Sequence, residues 1–118
     1  YDNLLDRNIT KVVVNKFSSA LYFSKAMIPW DRDNTIQNSS VDPLKPFWYK
    51  HIGLYAYRKT FLMEFGSLPS SSLEQIEKLE QLRILENGYN IKVVETNLDS
   101  IGVDCEEDIL VIEKRLAG

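Results

Sequence analysis

Two short apolar segments near the start of the chain predict a β-hairpin. The first runs from Ile9 to Asn15 and contains three consecutive valines, and the second runs from Ala20 to Ser24. Only four residues, Lys16 to Ser19, separate them. β-Branched runs joined by so short a connection are typical of paired antiparallel strands. We therefore expect residues 9–24 to fold as a hairpin.

A third candidate strand, His51 to Arg58, follows a stretch rich in Asp, Asn, Ser and Pro that predicts a loop over residues 31–46. In a strand, successive side chains point to opposite faces. The core face would then carry Ile52, Leu54 and Ala56. The other face would carry the groups of a candidate site, His51, Gly53, Tyr55 and Tyr57. A glycine there lets a ligand approach the backbone; the alternative is a strand facing water, with the glycine at a bulge.

A long helix is predicted from Ser72 to Asn87. Ser71 and Glu74 have the spacing of a capping box, which marks its start, and Gly88 marks its end. Leucine and isoleucine side chains occupy most of its perimeter at 100° per residue. The pattern therefore predicts a buried helix.

Two carboxylates fall in the core-facing sector of this helix. Glu77 and Glu80 project close to the apolar side chains, and Gln81 lies on the adjoining edge. A buried carboxylate needs a cation, a hydrogen-bond donor or a ligand. The alternative is that the two groups only rim the core and pair with nearby cations, for which the candidates are Lys78, Arg83 and Arg58.

Three further elements complete the predicted order. Thr60 to Phe65 reads as a short helix closed by Gly66, Tyr89 to Glu95 alternates like a strand, and Glu106 to Leu116 reads as a closing helix. No repeat is present. We therefore expect residues 1–118 to form one compact unit of the α/β or α+β class.

Composition narrows the function classes. The chain has 118 residues, 44% of them apolar and 26% charged, which is ordinary for a soluble globular domain. Its formal charge of −3 argues against broad binding to nucleic acid or to an acidic membrane. No apolar run is long enough to span a bilayer, and no signal peptide is recognised. The single Cys105 allows no internal disulfide, so we expect a reducing, cytoplasmic compartment.

Two loop residues are candidates for ligand chemistry. Arg32, in Trp30-Asp31-Arg32-Asp33, could hold a carboxylate or phosphate through its planar fork, or could simply pair with its acidic neighbours. Asp104 could bind a divalent cation or could cap the last helix, because Asp104 and Glu107 also have capping-box-like spacing.

Four motifs in order resemble the 3-deoxy-manno-octulosonate cytidylyltransferase family, also called CMP-KDO synthetase. They are Ala20 to Arg32, with its Ile-Pro-Trp-Asp-Arg ending, His51 to Arg58, Leu73 to Arg83, and Gly102-Val103-Asp104. The resemblance runs from about Ile9 to the C-terminus and covers the family's C-terminal half. It implies part of a three-layer α/β sandwich of the nucleotide-diphospho-sugar transferase type, usually dimeric. The implied reaction couples CTP to the acidic sugar KDO, giving CMP-KDO and pyrophosphate for lipopolysaccharide synthesis.

The resemblance also implies roles for individual residues. The sugar would be surrounded by Arg32, His51, Tyr55, Glu80 and Gln81. Asp104 would act in catalysis by helping to hold Mg²⁺. A sugar acid offers one carboxylate and several hydroxyls, which suits an arginine together with groups that donate and accept hydrogen bonds.

This chain departs from the family pattern at two positions. Lys25 stands where the family commonly has arginine after Phe-Ser, which keeps the charge but loses the bidentate geometry. Cys105-Glu106 replaces the usual Thr-Pro, so the last helix loses a hydroxyl cap and a proline, and Asp104 could serve as the cap instead.

The family's N-terminal half, with its nucleotide loop and second magnesium-binding aspartate, is absent from these residues. The sequence also starts at Tyr1 without a methionine. We therefore expect a piece of a longer cytidylyltransferase that is inactive alone. Two alternatives stay open: a non-catalytic sugar-acid-binding or dimerisation module, in which the hairpin of Ile9 to Ser24 recruits a partner, and an enzyme that activates sialate.

Overall fold

The computed structural model describes residues 2–34, 48–98 and 106–117. Two predicted features lie outside the described residues. They are most of the predicted loop, within residues 35–47, and the Gly102-Val103-Asp104 motif with Cys105. Eight elements lie within them: α1 Asp2–Leu5, β1 Lys11–Val14, β2 Ala20–Ser24, β3 Tyr49–Lys50, α2 Lys59–Phe65, α3 Ser72–Glu77, α4 Gln81–Glu86 and α5 Glu106–Ala117.

The predicted hairpin is confirmed as the pair β1 and β2. The strands are antiparallel with Val12 opposite Phe23, and β3 joins the free side of β1 to give the order β2-β1-β3. The turn is built by Asn15, whose side-chain oxygen accepts from the amides of Phe17 and Ser19 at 2.9 and 3.0 Å. An asparagine that bonds the backbone ahead of it is typical of tight turns.

The core lies between this sheet and the turn that joins α3 to α4. Five apolar residues form the buried cluster: Val12, Ala20, Phe23, Leu79 and Leu82. Half-buried apolar side chains from the strands, the helices and the segment after α4 pack around it. The sheet covered by helices confirms the predicted α/β class.

The prediction of a single helix from Ser72 to Asn87 is wrong, because the chain forms two helices separated by a break at Lys78. Lys78 has a left-handed backbone (φ 57°, ψ 40°) that ends α3, and α4 starts at Gln81. The capping box of Ser71 and Glu74 is present as predicted. One face of a small sheet cannot bury a helix that is apolar all round, so the break turns Leu79 inward while Ile76 stays 78% exposed.

The strand predicted from His51 to Arg58 is also wrong, and so is its core face. Only the amide of His51 continues the pairing, donating to the carbonyl of Thr10 at 2.8 Å. The amide of Leu54 then bonds the carbonyl of Ile52 at 2.8 Å, a tight turn centred on Gly53 that takes the chain off the sheet. Leu54 is left 88% exposed, whereas His51 and Tyr55 are half-buried.

The remaining elements agree with the sequence in part. The helices predicted at residues 60–65 and 106–116 are confirmed as α2 and α5, while α1 was not predicted. The strand predicted from Tyr89 to Glu95 is reduced to one bridge between Ser19 and Lys92. Among the described residues, no helix has both the length and the apolar character needed to cross a bilayer.

Candidate functional site

The centre of the candidate site is a hydrogen bond between two residues of the predicted site face. The Tyr55 hydroxyl lies 2.7 Å from Nε2 of His51. The imidazole also packs edge-on against the buried ring of Phe23, with ring centroids 5.2 Å apart. Burial, and secondarily the charge of Lys25, lowers the pKa of His51. The histidine is therefore a neutral hydrogen-bonding group at pH 7.

A series of aromatic rings continues from this pair toward α2. The rings of Tyr55 and Tyr57 stack almost parallel, 5.8 Å apart, and Tyr57 stacks in turn on Phe61 and Phe65 at 6.0 and 6.3 Å. Offset stacking of this kind stabilises ring orientation beyond simple burial. The series therefore fixes the direction in which the Tyr55 hydroxyl points.

Glu80 and Gln81 lie at the start of α4, where the left-handed Lys78 places them. Glu80 is exposed, and its charge contributes, after burial, to the raised pKa values of Tyr55 and Tyr57. Both phenols therefore stay protonated and able to donate at neutral pH. Gln81 is only 9% exposed, and its amide nitrogen has no hydrogen-bond partner among the described residues. A buried donor without a partner is unusual and is a place where a ligand can bind.

The unbroken helix had predicted that Glu77 and Glu80 share one sector. The structure instead separates them by the break at Lys78. The Glu77 carboxylate accepts from the Ser24 hydroxyl at 2.6 Å, from the Lys25 amide at 3.1 Å and from the Tyr22 hydroxyl at 3.4 Å. This cluster was missed by the sequence analysis. The signal was available, because Tyr22 and Ser24 lie two residues apart on one face of β2.

The proposed pairing of Glu77 or Glu80 with Arg83 is also not what the structure shows. Arg83 makes a two-pronged ion pair with Glu74, from Nε at 2.8 Å and from Nη2 at 2.5 Å. The same guanidinium lies 5.3 Å from the centre of the Phe65 ring. It thus ties the capping box to the aromatic series.

The contacts of the described residues do not bring Arg32 into this geometry. Arg32 is exposed at the edge of residues 35–47, and the neighbouring Asp31 is buried. Asp104 lies outside the described residues. Among those residues, no group of three His, Cys, Asp or Glu side chains is placed to hold a metal ion.

Acid should weaken the fold through Glu74. Hydrogen bonds from Arg83 lower the pKa of Glu74 from its usual 4.5 to about 2. Between these two pKa values the unfolded chain binds a proton that the folded chain does not. The contribution of the Glu74 carboxylate to the free energy of unfolding is therefore complete above pH 4.5 and is lost as the pH falls toward 2. We expect the free energy of unfolding, measured by urea titration, to fall less steeply below pH 4.5 in Glu74→Gln than in the wild type. The exposed Glu95→Gln should retain the wild-type slope; identical slopes in all three proteins would contradict the assignment.

Comparison with known proteins gives consistent matches. A sequence model described as "Cytidylyltransferase" matches residues 2–98. A 3-deoxy-manno-octulosonate cytidylyltransferase from Syntrophotalea carbinolica is 52% identical over 113 residues, which cover 96% of this chain and 45% of that protein. One from Thermodesulfovibrio yellowstonii is 50% identical, covering 98% and 44%. The chain thus spans less than half the length of these relatives.

A solved structure agrees with this match. The structure of CMP:2-keto-3-deoxy-manno-octonic acid synthetase complexed with CTP superimposes with a TM-score of 0.82 at 35% identity, over 98% of this chain and 44% of that one. The likeness confirms the predicted α/β fold of the nucleotide-diphospho-sugar transferase type.

Proposed function

Because the chain belongs to the cytidylyltransferase family, we propose that it forms the sugar-binding half of an enzyme that couples CTP to KDO. In this reaction a sugar hydroxyl attacks the α-phosphorus of CTP, the bond to the β-phosphate breaks, and pyrophosphate leaves as CMP-KDO forms. We expect this chain alone not to carry out the reaction, because it spans less than half the length of the curated relatives that it matches. The names of the relatives and the CTP in the similar structure support this reaction.

The observation that carries the proposal is the juxtaposition of two predicted sugar-binding motifs. The His51 and Tyr55 pair comes from the segment after β3, and Glu80 comes from the start of α4. Burial raises the pKa of Tyr55 most, followed by the neighbouring Tyr57 and then by the charge of Glu80. A neutral imidazole, a protonated phenol and a carboxylate together can accept from and donate to sugar hydroxyls. Gln81 adds a buried amide that has no partner among the described residues. We assign the KDO carboxylate to Arg32, whose fork suits it.

We also propose that Asp104 contributes to a magnesium site. A carboxylate oxygen is the hard donor that Mg²⁺ prefers, so the residue type fits the ion. When bound, the ion would offset negative charge on the phosphates of CTP. In the part of the chain that the structure describes, no group of three His, Cys, Asp or Glu side chains is placed to hold a metal ion. The family resemblance assigns a second aspartate of the magnesium site to the family's N-terminal half.

We also propose a homodimer, which the family resemblance and the exposed hairpin support, and a cytoplasmic location, which the single cysteine of the sequence favours. Strand β2 lies at one edge of the sheet, and the hairpin exposes Leu21 and Phe17 by 60% and 77%. The segment after α4 pairs with the start of β2 through the Ala20 amide and the Ile91 carbonyl. An edge strand with exposed apolar neighbours is still a surface that can recruit a second strand. The mass of the complete protein in solution tests this part of the proposal, and a monomer would refute it.

Pyrophosphate release tests the reaction directly. We expect the complete protein to release pyrophosphate only when CTP, KDO and Mg²⁺ are all present, and this chain alone to release none. A competition between KDO and a nine-carbon sialic acid should favour KDO. Turnover with sialate but not KDO would identify the alternative enzyme, and KDO binding by the complete protein without turnover would identify a binding module.

A further inference from the structure

A carboxylate outside the predicted sugar site joins its two halves. Glu77 is the last residue of α3 and binds β2 through Ser24 and Tyr22 and, just beyond the strand, the amide of Lys25. These contacts cross more than 50 residues of sequence. They link the end of α3, from which the chain turns toward Glu80, to β2 and the residue that follows it.

The position of this carboxylate is unfavourable for a helix. The C-terminal end of α3 carries partial negative charge, so an anion there is destabilising unless other donors compensate it. Three donors from or beside β2 provide that compensation. The carboxylate of Glu77 is therefore stable only while the end of α3 remains docked on β2.

The contact of Glu77 with β2 sets the relative position of two elements, the start of α4 and the end of β2. On one side the backbone turns left-handed at Lys78 immediately after Glu77, and the buried Gln81 follows three residues later. On the other side Glu77 holds the Lys25 amide just beyond β2, and Phe23 of the same strand packs edge-on against His51 with ring centroids 5.2 Å apart. A shift at Glu77 would thus move groups of both motifs relative to each other.

We propose that Glu77 is a positioning residue for the sugar, holding the turn of Glu80 and Gln81 in register with His51. The inference rests on the proposed KDO reaction. The carboxylate of Glu77 contacts Ser24, Tyr22 and Lys25 and none of the proposed sugar-binding residues among those described, so in this proposal it acts through β2. A displacement of about 1 Å in a binding group can cost about 100-fold in rate, so loss of this docking contact has a measurable effect.

The test compares two glutamates of the same helix in the complete protein. We expect Glu77→Gln to raise the KM for KDO by about tenfold and to leave the KM for CTP within about twofold. Glu74→Gln is the matched control, since it breaks the ion pair between α3 and Arg83 of α4 but removes no contact with β2. It should leave both KM values within about twofold. Equal effects of the two variants on KDO, or a parallel rise in both KM values for Glu77→Gln, would overturn the proposal.

Two further measurements cover the other outcomes. If Glu77→Gln does not fold, Ser24→Ala removes the 2.6 Å bond to Glu77 together with the local 3.0 Å bond that Ser24 Oγ accepts from the Ala26 amide; it should raise the KM for KDO by about threefold, and an unchanged value would overturn the proposal. Calorimetry with KDO separates this inference from the reaction itself. A wild type that binds KDO without turnover refutes the reaction, whereas the Kd of Glu77→Gln still decides the positioning role. A wild type that binds no KDO refutes both.

Discussion

Replacing Lys11 by methionine should lower the free energy of unfolding by about 3 kcal/mol or more. Lys11 is completely buried, and its ammonium donates to three carbonyl oxygens: those of Asp6 at 2.5 Å, Ile9 at 2.7 Å and Lys25 at 2.9 Å. Methionine fills similar volume but donates nothing. These three bonds are half-buried, and leaving each carbonyl without its donor costs about 1 kcal/mol or more. Urea denaturation followed by tryptophan fluorescence measures the sum.

The matched control is Lys16→Met, in the turn of the same hairpin. Lys16 is exposed, so its replacement removes the same charge and should change stability by less than about 0.5 kcal/mol. A similar loss in both variants would show that net charge, and not the three carbonyl contacts, causes the effect. The proposed site should also respond to Lys11→Met, because the Lys25 carbonyl is one of the three acceptors.

Much of the hairpin and the capping box of α3 could be predicted, because the interactions that determine them are local. The β-branched run in β1 and the short connection specify two paired strands. Ser71 and Glu74 satisfy each other within one turn of helix, so their spacing alone identifies the start of α3. Where the partners lie within a few residues, sequence and structure agree.

The buried and exposed sides of the segment from His51 to Tyr57 could not be predicted. Alternation shows which side chains would share a face of a strand, but not which face is buried or whether the backbone stays extended. Side chains two residues apart share a face only while the backbone stays extended. The tight turn at Gly53 ends that regularity, and the edge-on contact with Phe23 draws His51 inward. The sequence did place His51 and Tyr55 on one side, and they do form a hydrogen bond.

The break at Lys78 and the docking of Glu77 are the features that sequence patterning misses most completely. Lysine has no preference for a left-handed backbone, so the conformation must be imposed by tertiary contacts. Those contacts are long in sequence: the Ser24 hydroxyl and the Glu77 carboxylate are 53 residues apart. The roles of the individual residues in binding sugar stay predictions.

Replacing Gln81 by leucine should move stability and sugar binding in opposite directions. The amide nitrogen of Gln81 is buried and has no hydrogen-bond partner among the described residues, so it contributes a desolvation cost that leucine lacks. We expect the free energy of unfolding to rise by about 1 kcal/mol. If the amide donates to KDO as proposed, the KM for KDO in the complete protein should rise by about 10- to 100-fold.

The control is Gln75→Leu on α3, where the side chain is exposed and its amide reaches only the Ser70 hydroxyl at 3.4 Å. It should change neither stability nor the KM for KDO appreciably. Urea denaturation and initial rates of pyrophosphate release measure the two effects separately. A Gln81→Leu protein that loses stability would show that the amide is satisfied in the fold, and one that keeps its KM would remove Gln81 from the sugar site. A gain in stability joined to a loss of sugar affinity would show that this buried donor is retained for its ligand and not for the fold.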